Sequence, residues 1–154
     1  MSKNKDLSLG YKGELQFYQK YKRNLEWLSL KDKYSFFDFK KNNTFIELKT
    51  RRYRKSNFDD GGHIIETHKL EWLEKNNYKG IIIYTYIDGT FYYKVNRNNN
   101  SITKNIGGNI ARGDKLKELS FINGKYLKLL NKNLTTPSQY PFFNSKNKTC
   151  WILD

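Results

Sequence analysis

Phe36-Phe37-Asp38-Phe39-Lys40-Lys41-Asn42-Asn43-Thr44-Phe45-Ile46-Glu47-Leu48-Lys49-Thr50 reads as two short strands, over Lys33 to Phe39 and Thr44 to Arg52, joined by an Asn42-Asn43 turn. Asparagine tolerates the positive φ that tight hairpins require. A two-residue turn sets Asp38 directly opposite Glu47, with both aimed at one face. Lys49, two residues on, shares that face. Phe37, Phe39, Ile46 and Leu48 then fall on the opposite face and supply apolar surface for a core. Two carboxylates facing each other across a strand pair repel unless something positive lies between them. A hard divalent cation such as Mg²⁺ meets that need with oxygen ligands. Lys40 and Lys49 meet it too, if the ionic side is simply a solvated face.

The chain has 154 residues, a length suited to one domain with a real core. Its 29 Lys and Arg against 15 Asp and Glu give a formal charge of +14, which points to a polyanionic partner, nucleic acid first. Richness in Lys, Asn, Ile and Tyr is what AT-rich coding produces, so arginine is the better witness. Three arginines, Arg51, Arg52 and Arg54, with Lys55 beside them, follow directly after Glu47-Leu48-Lys49. Guanidinium groups fork onto phosphates. Cys150 stands alone, so neither a disulfide framework nor a cysteine-built zinc site is available. No apolar run approaches spanning length and the start is polar. The expectation is a soluble, intracellular protein, cytoplasmic or nucleoid-associated.

Leu9 to Leu28 carries apolar residues at helical spacing, with Ser8 as cap and Glu14 on or beside the stripe. A carboxylate there needs a partner, or is simply welcomed by the helix dipole. Tyr53 to Gly62 reads as a loop. His68 to Asn76 reads as a helix capped by Thr67, with Lys69 in its first turn. His63 and His68 do not share a helical face, and ordinary core or surface roles suit them. Gly80 to Ile87 and Thr90 to Asn96 form a hairpin around Asp88-Gly89, the first strand apolar enough to be covered on both faces. Arg97 to Gly113 reads as an irregular loop, and Asp114 to Leu119 and Asn123 to Leu130 as short helices. The tail from Thr135 carries Tyr140, Phe142, Phe143 and Trp151, suited to packing across the core or to self-association.

The resulting order is a helix with Glu14, a strand with Asp38, a strand with Glu47-Leu48-Lys49, a helix with Lys69, then a hairpin. Over roughly residues 8–96 it resembles the PD-(D/E)XK nuclease superfamily, the restriction-endonuclease-like and resolvase-like enzymes. Gly10-Tyr11-Lys12-Gly13-Glu14 is similar to the first helix of resolvase-like members. Asp38 matches the metal-binding Asp, Glu47 the second acidic ligand and Lys49 the motif lysine. Phe37 stands where the motif has Pro. The glutamine-bearing helix motif of exonuclease-like members is missing, with Lys69 in a position to replace it.

The resemblance implies an α/β (α+β) fold, a restriction-endonuclease-like core with a central mixed β-sheet flanked by helices. It would form a single domain over 1–154, with 97–154 as an elaboration. It implies a Mg²⁺- or Mn²⁺-dependent endonuclease acting on DNA. Asp38, Glu47 and the Leu48 carbonyl would hold the metal, and Glu14 would steady it or a second ion. Lys49 would orient the attacking water and offset developing charge. Arg51, Arg52, Arg54, Lys55 and Lys69 would grip flanking phosphates. Cutting both strands needs two active sites, hence a homodimer or higher homo-oligomer; the size and coding bias suit a virus or mobile element. The alternatives are a catalytically silent nucleic-acid-binding module on the same fold and a basic structural protein.

Overall fold

A computed structural model describes residues 3–96, 102–107, 115–137, 143–144 and 148–149. The elements are α1 (Lys3–Tyr21), β1 (Glu26–Trp27), α2 (Leu28–Lys31), β2 (Phe39–Lys41), β3 (Thr44–Thr50), β4 (His63–Glu66), α3 (Thr67–Lys75), β5 (Lys79–Tyr86), β6 (Gly89–Lys94), β7 (Ile102–Gly107), β8 (Lys117–Ile122) and β9 (Lys128–Asn131). A final pair, β10 (Phe143–Asn144) and β11 (Lys148–Thr149), lies near the chain end. A mixed six-stranded sheet runs β1-β2-β3-β5-β6-β9, and a three-stranded sheet runs β4-β8-β7. No helix among the described residues is long and apolar enough to cross a membrane.

The opening hairpin keeps the expected register from Phe39 opposite Ile46 to Lys41 opposite Thr44, but the expected pairing of Asp38 with Glu47 does not form. Asn42 supplies the turn with φ 54°. The first strand is shorter than the sequence suggests. Asp32 ties down the backbone ahead of it, accepting from the Tyr34 and Ser35 N–H groups through its side chain and carbonyl. Near its start, the Ile46 carbonyl accepts from the Asp38 N–H (3.1 Å) although Ile46 pairs with Phe39, so two residues oppose one. This bulge moves Phe37 to the face opposite Phe39. There it packs against Phe45 and Trp72, 5.6 Å between centroids in each case.

β3 pairs with β5 in parallel, so the chain must cross over between them, and α3 makes that crossing. β5 is covered on both faces, as its unbroken apolar run requires. Ile83 joins Phe17, Trp27, Phe39, Ile46 and Leu48 on the α1 side. Ile82, Tyr84 and Tyr86 join Ile65 and Ile122 on the other, where the small sheet lies beside α3. That second layer is a sheet where the sequence suggested helices alone. Of its strands, His63–Glu66 falls between the expected loop and helix, Ile102–Gly107 lies in the expected loop, and Lys117–Ile122 begins in the expected helix Asp114 to Leu119. Asn123 to Leu130 is likewise not helical: a short 3₁₀ turn leads into β9, the far edge of the main sheet.

α1 begins earlier than expected and ends at Tyr21, with Asn24 at φ 60° turning the chain into β1. Ser8 therefore lies inside the helix. Leu9 and Phe17 are buried and Gly13 lies between them at i,i+4 spacing, whereas Tyr11 is half exposed. A Cβ at Gly13 would lie 2.9 Å from the Cβ of Thr50 and closer still to its Oγ1, so glycine is what lets α1 seat on β3. Thr67 is not a cap; its hydroxyl bonds Ser120 Oγ at 2.7 Å, joining α3 to β8. The second hairpin pairs Tyr86 with Gly89, so its turn is Ile87-Asp88 rather than Asp88-Gly89.

Residues Leu134–Thr136 run across the ends of the sheet. The Leu134 carbonyl accepts from Thr90 (2.6 Å), the Thr135 carbonyl from Gln16 Nε2 (2.7 Å), and Thr136 N–H donates to Tyr86 (3.1 Å). The Thr136 hydroxyl donates to the Arg51 carbonyl. Tyr140, Phe142, Cys150 and Trp151 lie outside the described residues, as do 97–101 and 108–113 of the expected loop and Asp114 of the expected helix after it.

Candidate active site

Where β2 peels away from β3, the bulge turns Asp38 toward the edge of β3 that β2 leaves unpaired. Its Oδ2 accepts the Leu48 N–H at 2.9 Å. The N–H and C=O of one strand residue point the same way, so the Leu48 carbonyl opens on that edge too. Leu28 and Ser29 N–H groups hold the Asp38 carbonyl at 2.8 and 3.2 Å, which fixes its backbone.

Glu47 and Lys49 lie under α3, with side chains only 6% and 11% exposed, so the solvated-face reading of the hairpin does not hold. They belong to an alternating ring of four charges. Lys49 Nζ lies 3.2 Å from Glu47 and 2.5 Å from Glu66; Lys69 Nζ lies 2.7 Å from Glu47 and 3.5 Å from Glu66. Burial works against charge on Lys69, yet Glu47 and Glu66 outweigh it and raise its pKa. Burial likewise opposes charge on Glu66, and the two lysines more than reverse it, holding Glu66 far below the usual carboxylate range.

Glu14 leans in from α1. Its Oε1 accepts the indole N–H of Trp27 (2.8 Å) and the hydroxyl of Ser29, so two donors from β1 and α2 aim it. Burial raises its pKa, and the charge of Glu47 adds to the shift against those hydrogen bonds. Asp38 is pushed well above its ordinary value of 3.8, first by burial and then by the charges of Glu47 and Glu14. The three expected acids thus sense one another, although they come from positions 14, 38 and 47.

A carboxyl with a raised folded pKa binds its proton more tightly folded than unfolded. Stability is therefore greatest below the ordinary value of 3.8 and declines as pH climbs to the raised one. Asp38→Asn removes that penalty while its amide oxygen still accepts from Leu48. Its metal-free Tm at pH 7 should exceed wild type by roughly 2–4 °C for each ~1 kcal/mol of repulsion relieved. The gap should close toward pH 4. Thermal melts at both pH values check this, and a variant that melts lower at pH 7 contradicts it.

The donor set suits a hard cation in one respect. Glu47 Oε1 is buried with no hydrogen-bond partner, an orphan that a cation would satisfy. In another respect it does not stand ready, since among the described residues no group of three or more His, Cys, Asp and Glu is spaced to hold a metal ion. Asp38, Glu47 and the Leu48 carbonyl are the groups that would come together around one, with Glu14 beside them.

The basic residues divide. Lys69 belongs to the ring. Lys55 is engaged by Asp59 at 2.9 Å and lies over the Phe91 ring, while Arg54 is exposed and Arg51 and Arg52 are half-buried at the sheet end. Lys12, from the middle of α1, lies beside Arg52, and burial with that like charge lowers its pKa. His63 is fully buried: its Nε2–H donates to Asp59 (2.9 Å) and its Nδ1 accepts from the Tyr86 hydroxyl (2.5 Å). His68 is exposed, edge-on to Phe36. Trp27, Ser29, Glu66 and Lys12 escaped the sequence reading. Glu66, one residue before a predicted helix, offered the one usable signal. A scan against protein-family models finds no match for the chain, and searches of curated proteins and of solved structures find none either.

Proposed function

We propose that this chain is a metal-dependent nuclease of the PD-(D/E)XK type that hydrolyses phosphodiester bonds in DNA. The observation that carries the reading is the convergence of Glu14, Asp38, Glu47, Lys49 and Lys69 at the diverging end of β2 and β3, with one Glu47 oxygen left unsatisfied. When bound, Mg²⁺ or Mn²⁺ supplies Lewis-acid polarisation of the phosphoryl group and a water acidified to attack. Asp38, Glu47 and the Leu48 carbonyl would hold it, and Glu14, aimed by Trp27 and Ser29, would steady it.

Lys49 and Lys69 bring two ammonium groups to the place where charge grows on the phosphate, and so stabilise it electrostatically. Arg51, Arg52, Arg54 and Lys12 border the same end of the sheet and would contact flanking phosphates, which makes binding fall steeply with salt. Cutting both strands would call for two chains acting together. The test is an assay on plasmid, branched and single-stranded substrates with Mg²⁺ and with Mn²⁺; cleavage that depends on metal and on Lys49 supports the reading, and none on any substrate rejects it.

One observation favours a second reading, a nucleic-acid-binding module without turnover. Both lysines close on Glu47 Oε2, so the charge of that carboxylate is already met without a cation. Such a module would bind the same substrates and cut none.

A further inference from the structure

We infer that Glu66 is a positioning residue that sets where the ammonium groups of Lys49 and Lys69 sit; its effect on cleavage rests on the nuclease reading above. Glu66 ends β4 and directly precedes α3. At such a place a shorter aspartate turns back to accept from the first amides of the helix. Glu66 makes no such bond. Its side chain, 12% exposed, reaches between the two lysines instead.

Those lysines come from different elements, Lys49 from β3 and Lys69 from α3, and Glu66 stands between them. Its own backbone is anchored: it pairs with Leu119 of β8, and the next residue, Thr67, bonds Ser120. A lysine stem has four rotatable bonds and loses much rotamer freedom when its tip is held. Glu47 also holds both tips, through Oε2, but a cation on its free Oε1 would share the charge of that carboxylate. Glu66 is then the counter-ion whose charge stays wholly with the two ammonium groups, as outer partners do for the groups around a metal. A purely structural role, neutralising buried charge, would affect melting without this selectivity.

The experiment has one arm that needs no activity. Wild type, Glu66→Gln and Glu66→Asp, all metal-free, are labelled with acetic anhydride, and the rate at each lysine is read by mass spectrometry against exposed Lys115. In wild type Lys49 and Lys69 should label slowly. Glu66→Gln should speed both several-fold, and Glu66→Asp should return part of the protection because it keeps the charge. Should Glu66→Gln fail to fold, the Glu66→Asp comparison stands alone, with intermediate protection expected. Unchanged protection in the folded variants overturns the inference.

The second arm measures single-turnover cleavage with Mn²⁺ and DNA affinity with Ca²⁺. Glu66→Gln should slow cleavage by about 10–100-fold and leave affinity within about twofold. In a Lys49→Ala background Glu66→Gln should still speed the labelling of Lys69, which Glu66 contacts independently; labelling of Lys69 unchanged there overturns the inference. Cleavage by Glu66→Gln at the wild-type rate also overturns it, yet leaves the nuclease reading intact. A wild-type chain that cuts nothing defeats the nuclease reading, and the labelling arm then decides Glu66 by itself.

Discussion

Glu47→Ala should abolish Mg²⁺-dependent cleavage, by at least ~10³-fold as expected for a group that acts as part of a unit, and should tighten metal-free DNA binding. The two signs follow from one removal. Glu47 stands with Asp38 where the cation would sit, so its loss removes a ligand. Glu47 is also the anion against which both Lys49 and Lys69 rest, at 3.2 and 2.7 Å. Without it one more positive charge faces a phosphate backbone, and the slope of log K on log salt should steepen by up to ~0.9. Glu47→Gln is the volume-conserving companion and should behave likewise. Nuclease assays and salt-dependent binding isotherms check both signs. Cleavage retained above a tenth of wild type would remove Glu47 from the mechanism, and weakened metal-free binding would mean that it does not restrain the lysines.

The second large effect separates two glycines in the same turn of α1. Gly13→Ala drives a methyl into Thr50. Overpacking of this kind costs about 1–3 kcal/mol, and at this chain length each ~1 kcal/mol lowers Tm by roughly 2–4 °C. It should also slow cleavage, since Glu14 rides on the adjacent position. Gly10→Ala, with nothing within 4 Å of the new Cβ, should hold or raise Tm, because alanine favours helix over glycine by about 1 kcal/mol. Thr50→Ala removes a buried hydroxyl with no hydrogen-bond partner and should rescue part of the Gly13→Ala loss. Thermal melts of the four variants decide it. Equal effects at Gly10 and Gly13 would mean that helix propensity, not the seat on β3, is what matters.

The hairpin register was legible because a two-residue turn leaves no freedom, and Asn42 takes the positive φ that its chemistry permits. The hairpin spacing brought 38, 47 and 49 together and the family resemblance implied position 14 beside them, whereas Lys69, expected on flanking phosphates, lies in the charged ring instead. The side on which Phe37 lies did not follow. One inserted residue at Asp38 reverses the alternation before it, and strict period-two reading has no signal for a bulge. The small sheet was also hidden. His63–Glu66 and Lys117–Ile122 are four and six residues long, too short for apolar spacing to separate strand from helix. Only their mutual pairing makes them strands. Glu66 was missed for the same reason: its value lies in what β4 brings it to.

The crossing at Leu134–Thr136 ties residues near the far end of the chain to its first helix. Gln16, two positions from Glu14, donates to the Thr135 carbonyl, and the neighbouring threonine bonds the Arg51 carbonyl. A ribosome must therefore release more than a hundred residues beyond Glu14 before that helix acquires this latch. A shortened chain that keeps every acid and both lysines, yet stops at Asn131, would leave the latch open.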